Sequence, residues 1–177
     1  KLGLDEKGLP VVITTNTEYD WEGKPTRIMD ANGNEIINTY NGRGFPVQVD
    51  RKLSQTETVT TGYAYDLAGR KTIEVSPMYY TTGSAITDLN RTEYAYDRMD
   101  RVKTKKEIYR TTPGAIETSF VSKAYRYDLN GNVVKELDGE GFKFGVGTTD
   151  DAKIDSGYGM EYTYNHANQA VAVLDPV

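Results

Sequence analysis

The sequence predicts an all-β fold in which repeated antiparallel β-hairpins form a twisted ribbon. Three observations predict it: a Tyr-Asp or Tyr-Asn phrase occurs six times, a turn-forming residue follows each copy at a fixed distance, and no window shows helical periodicity with proper caps. A chain of 177 residues is also long enough to bury a core. We therefore expect one segment of repeats that spans residues 1–177.

The repeated phrase is defined by its anchor residues and by the residue three positions after each Asp or Asn. That third residue is Gly, Asp or Asn in every copy, and these types tolerate positive φ. The anchors, each with its turn residue, are Tyr19-Asp20 with Gly23, Tyr40-Asn41 with Gly44, Tyr65-Asp66 with Gly69, Tyr96-Asp97 with Asp100, Tyr127-Asp128 with Gly131, and Tyr164-Asn165 with Asn168. Shorter copies without the tyrosine occur at 5–8, 30–33 and 138–141.

One copy is predicted to form a strand, a turn and a second strand. In four copies another tyrosine precedes the anchor tyrosine by two positions, so the two rings share one face of a strand; these are Tyr63, Tyr94, Tyr125 and Tyr162. Asp suits the first position of a type I turn, where its carboxylate accepts hydrogen bonds from the backbone N–H groups that follow. The segment after the turn is alternating and β-branched, and it runs back antiparallel. This geometry predicts positive φ at Gly69 and Gly131.

The connections between hairpins differ in length, since successive anchors lie from 21 to 37 residues apart. Two connections of equal length share a Thr-rich turn with a glycine, at Gly83 and Gly114. Insertions are expected on one rim of the ribbon, because the core-facing register of stacked repeats cannot absorb them. We expect longer inserted hairpins or loops near 76–92, 108–122 and 142–160.

The phrase Tyr-x-Tyr-Asp-x-x-Gly-Arg resembles the YD repeat of Rhs proteins, teneurins, the shell subunits of insecticidal toxin complexes, and wall-associated proteins of Gram-positive bacteria. The resemblance extends from about residue 5 to residue 175, and it is seen most fully in one copy, at Tyr63, Tyr65, Asp66, Gly69 and Arg70. Among the other copies only Arg101 repeats the arginine, while Asn132 and Gln169 stand at the same position. Asp100 and Asn168 replace the glycine.

This resemblance implies a long β-sheet ribbon that spirals into a hollow shell, with the repeats forming its wall. In toxin members the shell encloses a C-terminal toxic segment. The resemblance therefore implies a structural, non-enzymatic piece of a large bacterial protein that is secreted or exposed at the cell surface. The expected partners are neighbouring repeats of the parent protein and an enclosed toxin segment.

Charge and composition argue against several other classes. A net charge of -5 and a pI near 5 argue against a nucleic-acid groove, which needs clustered Lys and Arg. The one locally basic stretch, 101–106, alternates with Val and Thr and is interpreted as the solvated face of a strand. The absence of cysteine excludes disulfides and thiolate metal sites. No apolar run approaches the ~18 residues that a membrane span needs.

No catalytic, cofactor or metal site is predicted. The single histidine, His166, stands at a turn position that other copies fill with Leu or Arg, so it is interpreted as an exposed turn residue. Asp150, Asp151 and Asp155 offer oxygen ligands of the kind that bind Ca²⁺, but their spacing matches no EF-hand loop. A solvated insertion is the favoured interpretation of that stretch.

The tyrosines support two hypotheses. Rows of flat rings suggest a surface that binds carbohydrate or cell-wall polymer. Because the paired tyrosines recur at one register, cross-strand aromatic ladders, worth about 0.2–1 kcal/mol per pair, are favoured instead. Tyr79 and Tyr80 lie outside that register and are the candidates for contact with a ligand.

The two end strands are expected near 11–16 and 170–175, where a segment cut from a wall exposes unpaired backbone groups. The stretch AVAVL at 170–174 is apolar, uncharged and rich in β-forming residues. Self-association through exposed edge strands is therefore expected.

Overall fold

The computed structural model describes residues 2–4, 7, 10–12, 14–54, 56–111 and 115–175. These residues include a 3₁₀ turn at Ile86–Asp88 and two short helices, α1 (Gly139–Phe144) and α2 (Asp150–Ser156). They also form fourteen strands: β1 (Leu2–Leu4), β2 (Pro10–Val12), β3 (Asn16–Tyr19), β4 (Pro25–Met29), β5 (Glu35–Tyr40), β6 (Pro46–Lys52), β7 (Thr58–Tyr65), β8 (Lys71–Val75), β9 (Arg91–Tyr96), β10 (Val102–Tyr109), β11 (Thr118–Tyr127), β12 (Val133–Asp138), β13 (Met160–Tyr164) and β14 (Ala170–Leu174).

Strands β3 to β14 form one open antiparallel sheet of 12 strands in strict chain order, and β1 pairs with β2 in a separate two-stranded sheet. The predicted all-β hairpin ribbon is confirmed. The edges of the large sheet are β3 and β14. The predicted C-terminal edge strand is therefore present, whereas the N-terminal edge is β3 and not the stretch 11–16, because residues 10–12 pair with β1.

The strand order gives the sheet two different rims. Because consecutive strands are antiparallel, the six anchor turns all lie on one rim, which we call the turn rim. The connections at 30–34, 53–57, 76–90, 110–117 and 139–159 lie on the opposite rim, which we call the insertion rim. The longer connections therefore collect on one rim, as the repeat predicts. The short copy at 5–8, apart from Lys7, and the turn glycine Gly114 lie outside the described residues.

The anchor turns share one backbone geometry. In each, the N–H of the third residue after the anchor Asp or Asn donates to the anchor carbonyl, as from Gly131 to Asp128 at 3.2 Å. The strand pairing shifts by one residue beside the turn, which is the pattern of a type I turn closed by a left-handed residue in a bulge. The closing residues all have positive φ, including 87° at Gly69, 94° at Gly131, 61° at Asp100 and 58° at Asn168. The prediction for both glycines is thus correct.

The stretch 138–141, which the sequence predicts as a short copy of the turn, instead begins a helix. The Asp138 carboxylate accepts a hydrogen bond from the N–H of Gly141 at 2.9 Å, and α1 follows. Thr149 caps α2 in the same way through Ala152 at 3.2 Å. An acidic side chain that accepts from a nearby N–H serves a turn and a helix N-cap equally well, so the local pattern does not separate them. The expected loop near 142–160 therefore contains two helices.

Two long insertions fold back over the same face of the sheet. Gly62 and Ala124 each stand directly before a Tyr-x-Tyr pair, so they lie on the face opposite the tyrosines. Gly62 pairs with Val75, and Ala124 pairs with Leu137 at the equivalent register. A Cβ on Gly62 would meet Tyr80 at 2.9 Å. We call this side the covered face and the other side the tyrosine face.

The main core lies on the covered face beneath the helical insertion. Phe142 of α1 and Ile154 of α2 pack with Ala124 and Leu137, and the last three of these side chains are fully buried. The sequence places small or aliphatic residues at these sheet positions, so apolar side chains from the insertion close over them. The insertion is therefore a packed part of the fold and not a solvated loop.

Candidate functional site

The turn rim repeats one side-chain arrangement at each anchor. In the copy at Asp97, the carboxylate Oδ1 accepts hydrogen bonds from the N–H groups of Met99 at 2.9 Å and Arg101 at 3.0 Å. Asp20, Asn41, Asp128 and Asn165 accept from the same two positions in their turns. These hydrogen bonds stabilise the turn, so the side-chain oxygens of the Asp and Asn anchors are occupied by backbone N–H groups.

The hydrogen bonds also favour the ionised form of the turn carboxylates. The backbone N–H of Arg70, together with its guanidinium, lowers the pKa of Asp66. The side-chain amide of Asn132 lowers the pKa of Asp128, and its backbone N–H adds to this effect. Neither carboxyl group is therefore suited to hold a proton near neutral pH, as a general acid must.

The anchor tyrosine of one hairpin is bonded to the hairpin before it. The hydroxyl of Tyr96 donates to the carbonyl of Lys71 at 2.6 Å, and that of Tyr127 donates to the carbonyl of Val102 at 2.8 Å. Tyr40 and Tyr164 make the same bond to Pro25 and Val133. In each case the acceptor lies five residues after the preceding anchor Asp, so the anchor tyrosine joins successive repeats.

The residue four positions after the anchor Asp completes the link. The guanidinium carbon of Arg70 lies 4.9 Å from the ring centre of Tyr96, and that of Arg101 lies 4.4 Å from the ring centre of Tyr127. Each arginine also forms an ion pair with the Asp of its own turn. At this position in another copy, Phe45 stacks on Tyr65 with the ring centres 5.0 Å apart.

Two of the preceding tyrosines of the Tyr-x-Tyr pairs, Tyr63 and Tyr94, are joined through a cation. The ammonium of Lys71 lies 5.6 Å from the ring centre of Tyr63 and 4.9 Å from that of Tyr94. The Tyr94 hydroxyl donates to Glu74 at 3.1 Å. Burial, followed by the nearby carboxylate of Glu74, raises the pKa of Tyr94 well above its ordinary value.

At Tyr63 and Tyr94, the expected direct contact between tyrosine rings is replaced by a cation that lies between the two rings. The strands that carry Tyr63 and Tyr94 are β7 and β9, and β8 lies between them. Rings on such strands are separated by about 10 Å, too far for direct stacking. Lys71, at the start of β8, fills the gap between these two rings.

The two tyrosines predicted to contact a ligand have different surroundings. The hydroxyl of Tyr80 donates to Gln48 at 2.8 Å, and its ring lies against Gly62. Tyr80 therefore fastens the 76–90 insertion to the covered face. Tyr79 lines an open depression on the insertion rim, with its ring edge-on to Tyr109 at 6.3 Å between centres.

This depression, which we call the Tyr79 depression, has a volume of about 650 Å³. Its lining combines Tyr79 and the buried Leu89 with the polar side chains of Asp88, Asn90 and Arg110. The side-chain oxygen of Asn90 accepts a hydrogen bond from the backbone N–H of Arg110 at 2.6 Å, which ties the two walls together. The lining is polar and aromatic, and it is formed by two insertions.

A carboxylate clasp supports one wall of the depression. Glu117 accepts hydrogen bonds from Arg91 and Arg110, each at 2.7 Å. The two guanidinium groups, Arg91 first, hold the pKa of Glu117 at about 2, below its ordinary value of 4.5. The clasp joins the start of β9 to the end of the 110–117 connection.

The histidine and the acidic residues of α2 lie apart from this depression. His166 is exposed at the tip of its turn. In α2, Asp151 pairs with Lys103 at 3.5 Å and Asp155 pairs with Arg126, so these acids face cations of the sheet. Within the described ranges, no group of three or more His, Cys, Asp or Glu side chains is arranged to hold a metal ion. None of the helices in these ranges has the length and apolar character to cross a membrane.

Comparison with known proteins gives structural neighbours. No protein-family model matches the chain, and no curated protein matches it. The crystal structure of TcdB2-TccC3-Cdc42 is 20% identical with a TM-score of 0.63, over 94% of this chain and 7% of that one. TcdB2-TccC3 without its hypervariable C-terminal region and TcdB2-TccC3-TEV are 20% identical with TM-scores of 0.65 over the same shares. The likeness shows the fold, and the chain spans 7% of the length of these neighbours.

Proposed function

We propose that the chain is a structural segment of a YD-repeat wall in a larger protein. In this proposal the sheet continues through further repeats and curves into a hollow shell, which encloses or presents a C-terminal toxin segment. The single observation that carries it is the sheet itself: twelve antiparallel strands in strict chain order, joined from each hairpin to the next by the anchor tyrosines.

The way the repeats are joined suits a wall. Tyr96 and Tyr127 reach the preceding hairpin, and Arg70 and Arg101 reach the following one. A sheet with nearest-neighbour contacts of this kind is lengthened by adding units, without any redesign of a central core. The unpaired edges at β3 and β14 are then covered by neighbouring repeats of the parent protein.

The structural neighbours support the same role. They are TcdB2-TccC3 proteins, one of them crystallised without its hypervariable C-terminal region, and the chain aligns with 7% of their length. By analogy, the proposed parent protein is large, bacterial, and secreted or exposed at the cell surface. A segment of this size contributes one part of a wall.

The proposed role is structural and non-enzymatic. The turn carboxylates are held by backbone N–H groups, and His166 stands exposed at a turn tip. The alternative function, glycan binding along the repeated tyrosines, receives less support, because Tyr96 and Tyr127 are used to join repeats. A hydrolytic activity that His166→Ala removes without changing stability would contradict the non-enzymatic role.

The wall proposal is tested on a longer protein that carries this segment together with its downstream sequence. Electron microscopy is expected to show a closed shell whose wall contains this sheet. Limited proteolysis is expected to spare the downstream segment in the intact shell and to cut it after the shell is opened with denaturant. A sheet that lies outside any enclosed volume, with a downstream segment cut at once, would contradict the proposal.

A further inference from the structure

We propose that the Tyr79 depression is a binding site for a neutral sugar, of the size of a monosaccharide or disaccharide. The inference is independent of the wall function, since the depression lies on the insertion rim and uses none of the residues that join the repeats. Its volume of about 650 Å³ lies within the range of small-molecule sites.

The lining has the chemistry that a sugar ring requires. A pyranose presents apolar C–H groups on its faces and hydroxyl groups around its edge. The Tyr79 ring and the buried Leu89 offer aromatic and apolar surface. Asp88 offers carboxylate oxygens that accept hydrogen bonds, and the Asn90 amide and the Arg110 guanidinium offer N–H donors.

Tyr79 is available for such a contact. Its backbone N–H is bonded to Ser76 at 3.0 Å, and its ring touches Tyr109 edge-on. Tyr109 in turn stacks on Phe120 with the ring centres 6.0 Å apart. Over the described ranges the Tyr79 hydroxyl has no hydrogen-bond partner, in contrast to the hydroxyl of Tyr80. The ring is therefore held in place while its hydroxyl remains available to a ligand.

The charge of the lining selects neutral over acidic sugars. Asp88 is the acid of the lining and Arg110 is its base, with 4.0 Å between the carboxylate and the guanidinium. Arg110 is also bonded to Glu117 at 2.7 Å. The positive charge of Arg110 is thus already balanced, so a sugar carboxylate would find no uncompensated cation and would be repelled by Asp88.

The polar groups are positioned before any ligand arrives. Tyr80 fastens one wall to the sheet, and the Glu117 clasp together with the Asn90–Arg110 bond fixes the other. A preorganised site loses less conformational entropy on binding. For an open site of this kind we expect weak affinity, with a Kd on the order of 1 mM.

The experiment is saturation-transfer NMR on the 177-residue chain. The probes are methyl glucoside, methyl mannoside, methyl galactoside and N-acetylglucosamine, with glucuronate as the acidic comparison. At least one neutral probe is expected to bind, to shift the amide signals of residues 79–90, and to bind more tightly than glucuronate. Tyr79→Ala is expected to weaken binding at least about tenfold. Asp88→Asn is expected to weaken it while leaving the aromatic contacts in place.

The controls separate binding from folding. Tyr19→Ala removes a tyrosine that is 62% exposed on the edge strand, and it is expected to leave binding unchanged. Tyr79→Phe keeps the ring and is expected to retain most of the affinity even if Tyr79→Ala loosens the loop. The proposal is overturned if no neutral probe binds at about 20 mM, if glucuronate binds best, or if Tyr79→Ala and Asp88→Asn both bind like the unmodified chain.

Discussion

The guanidinium carbon of Arg101 lies 4.4 Å from the ring centre of Tyr127, although the two residues belong to different copies of the repeat. The same guanidinium pairs with Asp97 in its own turn at 2.7 Å and donates to the carbonyl of Asp128 in the next turn at 2.8 Å. One side chain therefore closes its own turn and holds the next hairpin in place.

Removing this arginine is expected to destabilise the fold more than removing a neighbouring one. Arg101→Ala loses a cation–π contact and several charge-assisted hydrogen bonds, so we expect a loss of about 2 kcal/mol in the free energy of unfolding. Urea denaturation followed by circular dichroism measures it. Arg98→Ala, at the exposed tip of the same turn, is the matched control and is expected to change stability by less than about 0.5 kcal/mol. Equal effects of the two variants would contradict the role of Arg101.

The bond from the anchor tyrosine to the preceding hairpin is tested by Tyr127→Phe. This variant keeps the ring over Arg101 and leaves the Val102 carbonyl without its partner, so a loss of about 1 kcal/mol is expected. Tyr125→Phe is the matched control, because it removes a hydroxyl that has no hydrogen-bond partner within the described ranges. Chemical denaturation of both variants should show a clear difference, and no difference would mean that the hydroxyl bond contributes nothing.

Backbone conformation alone is tested at Gly131. Its φ is 94°, and a Cβ there would meet nothing within 4 Å, so Gly131→Val strains the backbone without a clash. We expect a loss of about 1–3 kcal/mol. Gly131→Asn should cost less, because Asn168 adopts positive φ at the equivalent position. Leu129→Ala, at a side chain that is 92% exposed, should cost less than Gly131→Val. Thermal denaturation measures these differences. If Gly131→Val and Gly131→Asn had the same melting temperature, the turn assignment would be contradicted.

The Glu117 clasp predicts a dependence of stability on pH. The pKa of Glu117 is lowered from 4.5 to about 2 by Arg91 and Arg110, so the folded state favours the ionised carboxylate. Its stabilising contribution is therefore complete above about pH 5 and is lost as the pH falls towards 2. The difference in melting temperature between the unmodified chain and Glu117→Gln should shrink over that interval. Glu57→Gln, which removes an exposed carboxylate, is the control. If its melting temperature differed from that of the unmodified chain with the same dependence on pH, this explanation would be contradicted.

The exposed edge at β14 predicts self-association. All five residues of this strand are exposed, Val171 by 60% and Val173 by 54%, and none is charged. The other edge strand, β3, carries Glu18, which discourages pairing. Light scattering across a concentration series is expected to show association that Val171→Lys and Val173→Lys both reduce. A strictly monomeric unmodified chain would contradict the prediction.

The local parts of this fold follow from the sequence, and the parts that depend on spatial neighbours do not. The turns at Asp66 and Asp128 are predictable because the acceptor and the left-handed residue lie within four positions of each other. The cation between Tyr63 and Tyr94 is not predictable, because the alternation of residues places tyrosines on one face of a strand but does not show which strand lies between them. The helix at 139–144 does not follow from the sequence either, because Asp138 and Gly141 satisfy a turn and a helix cap alike.

The candidate site shows the same limit. The sequence separates Tyr79 and Tyr80 from the repeat register, but it does not distinguish them from each other. Only the folded chain places Tyr80 against Gly62 and leaves Tyr79 beside Asn90 and Arg110. Arg110 comes from a different insertion, so no local spacing indicates its contribution.

Gly62 and Ala124 are small residues at the two positions where the insertions pack on the covered face. Each small residue leaves room on the covered face, and the loop that follows its hairpin packs there. Glu93 stands before the Tyr-x-Tyr pair of another copy, and there it pairs with Arg91 at 2.8 Å. A protein engineer who grafts the 76–90 loop onto the hairpin of Glu93 would therefore also change Glu93 to glycine. The sheet would then keep its repeats, and the loops on its insertion rim could be exchanged.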